Sequence, residues 1–466
     1  MLFTQLECML FLFVVVLLFF FVKKNTYRKA ILLCSNIYFY AYFDYRMTAL
    51  LLLSVCVTYC ISYAISKSCN QKQKVAFLAT GILANVVVLA FFKYFNFFIE
   101  NINHIVSGSL FSFDHLNIIV PLGISFYTFR FISYLVDVYR GEMGPRKSVD
   151  FMIYGTFFPI IVSGPISRAS SFLPQLSELR VSGESLYKGY RLFVIGLFLK
   201  VFIADRVASY VNYFYSNNEL FGTVTAWLAV AAYSVEIYCD FAGYSSMAIG
   251  IACMLGIRIE ENFNFPYLAE NIQDFWRRWH ITLSDWIKDY LYIPLGGSRK
   301  GVRRQYVNYL TVMALCGLWH GAAWTFVLWG CLHGVMLVVH NIWRNAKYYS
   351  ASISSSRCYT VFAKLLTFLS VTLCWVLFRS ENMEQFLDIM VTLFAFDMNN
   401  GMLWVQPFVV FILLSFFVFH LLVDLKLKFV TVPLESKMTP TVLLCFLWLI
   451  VVFSPEKFEP FVYLQF

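Results

Sequence analysis

Charge is what this chain has least of: Asp, Glu, Lys and Arg make up 14% of the 466 residues and apolar types 60%, against roughly 25% and 45 to 50% in a soluble domain. A chain so poor in charge cannot solvate its own surface, which excludes a soluble globular enzyme. Signature motifs are missing too. No glycine-rich phosphate loop, HExxH or GxSxG occurs, so nucleotide hydrolysis, zinc proteolysis and serine hydrolysis have no support. The 12 cysteines contain no CxxC pair, and most lie in apolar stretches where Cys acts as a small hydrophobe, so they read as structural and no metal is expected. No internal repeat is visible, which weakens an inverted-repeat transporter. The net charge of +9 is modest and reports orientation and anionic headgroups rather than nucleic acid.

What is present is apolar sequence in runs of about 17 to 25 residues, enough to cross ~30 Å of hydrocarbon as helix. Roughly ten to twelve such spans are expected, the first being a retained helix over Leu6 to Val22 rather than a signal peptide, since no basic region precedes it. Basic loops alternate with loops poor in Lys and Arg. Lys23, Lys24, Arg28 and Lys29 follow the first span, Lys67, Lys72 and Lys74 the third, and Arg140, Arg146 and Lys147 the fifth, which predicts an outward N-terminus. The apolar stretch from Phe151 to Val162 is short and runs into Ser163-Gly164-Pro165, which suggests a segment that turns back beside a cavity. The apolar run from Thr225 to Leu255 exceeds one crossing, and a break is expected near Gly243.

The polar stretch from Phe275 to Gly321 carries the candidate chemistry. On one continuous helix Trp276, Trp279 and His280 share a face while Arg277 and Arg278 turn aside; an interfacial helix with Trp anchors accounts for this pattern equally well. From Arg277 to Arg304 there are seven Lys or Arg against two Asp. A positive-inside loop explains that excess, and so does a donor carrying phosphates. Trp319-His320-Gly321 places an imidazole between two apolar segments, where an ionisable group is costly and normally faces a cavity or a partner. With an ordinary pKa of about 6.5, such a ring can take a proton from an attacking hydroxyl without a metal, and Gly321 would let backbone or substrate come close. His333, in the following apolar segment, either faces the same cavity or hydrogen-bonds between helices, and is ranked as structural. Asp240, inside an apolar run, either lines the cavity or pairs with an Arg.

Several separated segments add a resemblance. Pro121-Leu122-Gly123-Ile124-Ser125-Phe126, Tyr134 to Arg140, Phe158-Pro159 through Ile166, Asp240 to Ser245, Asn262-Phe263 with Pro266-Tyr267, Phe275 to His280, Tyr290 to Gly297, Leu318 to Trp324, Trp375 to Arg379 and Phe461 to Phe466 resemble the membrane-bound O-acyltransferases, in the bacterial branch of alginate O-acetylation and teichoic acid D-alanylation. Arg130, Ala242, Ser246 and Asn271 depart from the usual Gln, Ser, Asp and Ser. The resemblance implies an all-α polytopic fold with re-entrant or interfacial helices around a central tunnel. It spans 1–466 as one domain, with N-terminal helices over 1–115, a catalytic core over 116–345 and C-terminal helices over 346–466. It implies His320 and His280 as catalytic residues, and Trp276, Arg277, Arg278, Trp279, Asp240, Tyr244, Asn262 and Trp319 as donor-binding or tunnel residues.

The reaction so implied passes an acyl group, here acetyl, from a cytosolic thioester such as acetyl-CoA to a hydroxyl of an extracytoplasmic polysaccharide. No cofactor stays bound. The expected partners are membrane lipids, the polysaccharide acceptor and a periplasmic SGNH-type transferase, and the expected location is the bacterial inner membrane. D-alanyl transfer from a carrier protein to teichoic acid is the alternative enzyme. A polysaccharide or proton-coupled transporter, with His320 and Asp240 as a relay, is the alternative of another class.

Overall fold

The computed structural model of the chain describes residues 3–106, 113–346, 356–395, 401–425, 439–453 and 460–462. Tyr463 to Phe466 of the C-terminal motif lie outside the described residues. The fold is all-helical, as the composition requires. Among the described residues six helices are long and apolar enough to cross a membrane: Tyr45–Lys67, Gln71–Val106, Thr223–Met254, Trp324–Arg344, Arg357–Arg379 and Pro407–Asp424. Leu6–Phe21 and Thr439–Val452 are shorter apolar helices. The chain is a multi-pass membrane protein. Other runs counted as spans from hydropathy are short helices or pass through π turns, as at Phe198–Ala204 between Gly183–Leu197 and Asp205–Ser216.

The chain divides into two compact units, Met1–Phe193 with Met247–Glu260, and Val194–Ser246 with Glu261–Phe466. In the first, the apolar stretch after Lys147 forms two short helices, Ser148–Thr156 and Phe158–Ile161, interrupted at Phe157. The interruption frees backbone groups that cannot stay unsatisfied in an apolar interior. Buried Asn36 meets the need: its Oδ1 accepts from the Phe158 N–H at 3.1 Å, and its Nδ2 donates to Thr156 Oγ1 at 3.2 Å.

In the second unit, Val302–His320 and Trp324–Arg344 form an antiparallel hairpin. Glycines let the two backbones touch, since a Cβ on Gly317 would stand 2.1 Å from the Phe326 carbonyl oxygen and one on Gly330 2.1 Å from that of Met313. Lipid is as apolar as Leu, so such small-residue packing is what joins helices in a bilayer. The expected break at Gly243 does not occur: Thr223–Met254 is one unbroken helix of 32 residues. Gly243 serves approach instead of bending, because a Cβ there would lie 2.8 Å from the Gly196 carbonyl oxygen.

The same helix carries Asp240, whose partner is Lys200 rather than an Arg. The Lys200 ammonium lies 2.5 Å from Asp240 and 2.7 Å from Asp205, all three side chains being 3% exposed or less. Two carboxylates sharing one ammonium leave a strongly unbalanced charge if the lysine goes. Lys200→Ala is therefore expected to destabilise the protein by about 3 to 5 kcal/mol, read as a large fall in unfolding temperature in detergent; an unchanged midpoint would show that the triad is not holding the unit.

Candidate functional site

His280 stands at a kink. The helix carrying Phe275 and Trp276 ends at Arg278, Trp279 is extended, and His280 takes a left-handed conformation with φ 42° and ψ 54° before the next helix begins at Ile281. The single helical face anticipated for Trp276, Trp279 and His280 is thus replaced by helix, kink, helix. Nor do the indoles anchor at a surface, for Phe275, Trp276, Trp279 and His280 are all buried.

Non-glycine residues adopt this backbone only where their surroundings enforce it. The enforcement comes from the extended strip at Asn262. Its carbonyl oxygen accepts from the Ile281 N–H at 3.0 Å, and the Asn264 N–H donates to the Arg278 carbonyl at 2.9 Å. The Asn262 side-chain oxygen accepts from His280 Nδ1 at 3.1 Å, Thr282 Oγ1 at 2.8 Å and the Thr282 N–H at 3.3 Å, while its amide donates to Ser245 Oγ at 3.3 Å. With its proton held on Nδ1, neutral His280 keeps its lone pair on Nε2. Asn271, where Ser is usual in the family it resembles, still caps the preceding helix by accepting from the Asp274 N–H at 2.9 Å.

His320 ends its helix 4% exposed among rings. Its centroid lies 4.8 Å from Trp319, 5.1 Å from Trp329 and 5.3 Å from Phe378. Trp319 also lies 6.2 Å from His280, so one indole stands between the two candidate histidines. The space beside Gly321 is taken by the Phe326 ring, 2.1 Å from where a Cβ would sit, and not by open cavity.

His333 does not take the hydrogen-bonded alternative of its sequence reading. It makes no interhelical hydrogen bond: both ring nitrogens are buried without a partner, and the ring packs on Trp329 at 4.7 Å and Trp276 at 5.3 Å. Sequence reasoning missed it because its signal is contact, set by the Gly317 and Gly330 approach.

A groove of about 470 Å³ opens beside this cluster, lined by Gln273, Trp276, Arg277, Ser284, Lys288 and Tyr292 among others. Its walls are mainly apolar with a charged rim, the form of a site for an amphipathic ligand. Arg277 is exposed there, whereas Arg278 is held by Asp274 at 2.9 Å and does not line it. Trp276 forms part of the groove and also lies 5.9 Å from Trp329. The groove is therefore two indoles from His320.

Asp240 and Tyr244 stand apart from this constellation. Besides its ion pair, Asp240 accepts from the Val462 N–H at 2.9 Å; Tyr244 packs edge-on against Phe461 at 4.7 Å, and Lys200 lies 4.7 Å over the same ring. They anchor the residues near the C-terminus. Their helix reaches the histidines through Phe241, edge-on to His280 at 4.7 Å.

Residues 37–348 match the profile of the membrane-bound O-acyltransferase family. The chain belongs to that family. This O-acyltransferase is 36% identical over 400 residues to the peptidoglycan O-acetyltransferase of Helicobacter pylori, covering 79% of this chain and 74% of that protein. It is 36% identical over 395 residues to the probable alginate O-acetylase AlgI of Pseudomonas aeruginosa, covering 83% and 74%. The teichoic acid D-alanyltransferase of Bacillus subtilis is 29% identical over 329 residues, covering 67% and 80%.

Asn262→Ala removes one acceptor from three donors in the O-acyltransferase kink and is expected to cost about 1 to 3 kcal/mol, with acyl transfer falling further than stability as His280 loses its orientation. Thermal unfolding and turnover measured on one preparation separate the two effects, and parallel losses would leave Asn262 a purely structural residue.

Proposed function

We propose that this O-acyltransferase moves an acetyl group from a thioester donor on the cytosolic side of the bacterial inner membrane for O-acetylation of an extracytoplasmic polysaccharide. The observation that carries the reading is the groove joined through Trp276 and Trp329 to His320. The relatives' names, peptidoglycan O-acetyltransferase and alginate O-acetylase, support an acetyl group and a glycan acceptor. An acetylated pantetheine arm suits the apolar walls, with the phosphates of acetyl-CoA towards exposed Arg277. The basic residues Arg299 and Lys300 of the turn, with Arg303 and Arg304 in the first turn of the helix that follows, add attraction for them. The charge alternation of the early loops supports an outward N-terminus.

In this reading His320 removes the proton of an acceptor hydroxyl as that oxygen attacks the thioester carbonyl. The new C–O bond forms, the C–S bond breaks, and the departing thiolate takes the proton from the imidazolium, so the ring ends neutral. Only the small acyl group passes the apolar interior while the charged donor stays outside it. His280 supplies a second oriented imidazole across Trp319. A periplasmic SGNH-type transferase completes delivery to the glycan.

His320→Ala, shown to insert and fold, is expected to lower polysaccharide O-acetylation by roughly 10²- to 10⁴-fold; retained acetylation removes His320 from the reaction. His280→Ala tests the second ring separately, and normal turnover there would assign it to packing. Arg277→Ala is expected to raise KM for acetyl-CoA several-fold with kcat little changed, the pattern of lost uniform binding; a fall in kcat alone would contradict donor binding at the rim.

A further inference from the structure

A second cavity, of about 450 Å³, is bounded by the membrane-spanning helix Pro407–Asp424, the π turn Phe198–Ala204 and the apolar helix Thr439–Val452. Phe411, Ile412, Ser415, Phe416, Phe419 and His420 line it from the first of these. Their spacing makes one continuous face, and from Phe411 to His420 the cavity follows about 13 Å of helix axis. Phe411 and Phe419 are also exposed on this spanning helix, so in a bilayer the cavity opens towards lipid chains.

His420 is the polar group that faces it. The residue stands four positions before its helix ends at Asp424 and is 4% exposed. Its Nδ1 lies 2.9 Å from the Phe416 carbonyl; a carbonyl only accepts, so the ring proton sits on Nδ1 and Nε2 carries a lone pair. Nε2, at the tip of the ring away from its own helix, is buried without a hydrogen-bond partner. Buried polar atoms are ordinarily satisfied, so this one requires an account. Around the ring stand Phe265 at 5.6 Å and Tyr238 at 5.9 Å, both of them cavity residues. Phe265 holds a left-handed backbone with φ 45°, a conformation that a bulky residue keeps only where its surroundings enforce it and that recurs at ligand clamps.

The lining decides what fits. A lone pair on Nε2 calls for a donor, which excludes a guest whose polar end only accepts. Among the described residues no Asp, Glu, Lys or Arg lines the cavity, so the phosphate of a phospholipid headgroup finds no cation there. An uncharged lipid hydroxyl meets both conditions. Ser415 and Tyr238 add hydroxyl groups to the walls, donors for acceptors next to that hydroxyl. A diacylglycerol carries this set, one O–H beside ester carbonyls, at the head of its acyl chains. The four positions between His420 and the helix end are about 6 Å of rise, so the head lies close to the end of the span and a chain runs inward.

We propose that this cavity binds diacylglycerol from the bilayer, its hydroxyl donating to His420 Nε2, its ester carbonyls meeting Ser415 and Tyr238, and one acyl chain lying along the helix face to Phe411. The site is separate from His320 and stands or falls independently of the acyl-transfer reading.

The test places the full-length protein in phosphatidylcholine nanodiscs with a diacylglycerol carrying a photoreactive diazirine in one acyl chain, and maps the labelled peptides by mass spectrometry. Label is expected on Pro407–Asp424 and Thr439–Val452; its absence from both would overturn the site. Dioctanoylglycerol is expected to compete, and its O-methyl ether, which lacks only the O–H, to need roughly tenfold more. Equal competition by the ether would reduce the cavity to a plain apolar groove. Stronger competition by geranylgeraniol or by dioctanoyl phosphatidylethanolamine would give the site to another lipid and overturn the assignment. His420→Phe keeps an aromatic ring and removes the acceptor, and is expected to lower labelling roughly tenfold at an unchanged unfolding temperature, with partial rescue in His420→Gln. Full labelling of a folded His420→Phe would remove His420 from the site. The ether comparison runs on the wild-type chain and decides alone if the variant misfolds.

Discussion

The Asn262 carboxamide is the interaction on which the candidate site depends. Its single side-chain oxygen gathers donors from His280 and Thr282, and its nitrogen reaches Ser245 on the long central helix. No glycine eases the left-handed turn at His280, so the backbone there is stable only because the hydrogen bonds around it over-determine it. One amide thus fixes the direction of an imidazole, the proton on its Nδ1 and the point where one helix stops and the next begins. Neighbouring rings can pack densely because this geometry is already set.

Beyond that amide the interior is built from rings rather than ions. His280, Trp319, His320 and Trp329 follow one another at centroid separations of 6.2, 4.8 and 5.1 Å. Aromatic edges and faces hold a neutral imidazole without demanding that it ionise, which suits the transfer-base role proposed for His320. Trp319, Trp329 and Phe378 surround the His320 ring, and aromatic walls of this kind keep the local dielectric low. There a developing charge interacts strongly with the few dipoles that face it.

Much of this was legible in the sequence, for identifiable reasons. Scarce charge and recurrent apolar runs determine an all-helical membrane fold because backbone groups in lipid must bond within their own helix. His320 stood out as an ionisable residue between apolar segments. The kink at His280 was hidden: a helical period counts positions and cannot register one left-handed residue unmarked by Gly or Pro. Asn262 lies 18 residues before its imidazole partner, and the strip that carries it has no periodic signal. Gly243 misled because a glycine that bends a helix and one that admits a neighbour read alike. For His333 an interhelical hydrogen bond was one of two alternatives, because a polar residue in a span normally makes one; only the contacts reveal that rings enclose it.

Asp240 spans two roles that a functional assay would confuse. One carboxylate oxygen meets Lys200, and the other accepts from the Val462 N–H, more than two hundred positions along the chain. The residues around Phe461 are thereby built into the interior, a hydrogen bond closing the loop of chain in the second unit much as a clasp closes a bracelet. Deletions or fusions made close behind them would disturb a buried carboxylate and, through Phe241 on the same helix, the imidazole of His280. Loss of activity on editing the chain beside Phe461 would then report the clasp before it reported chemistry.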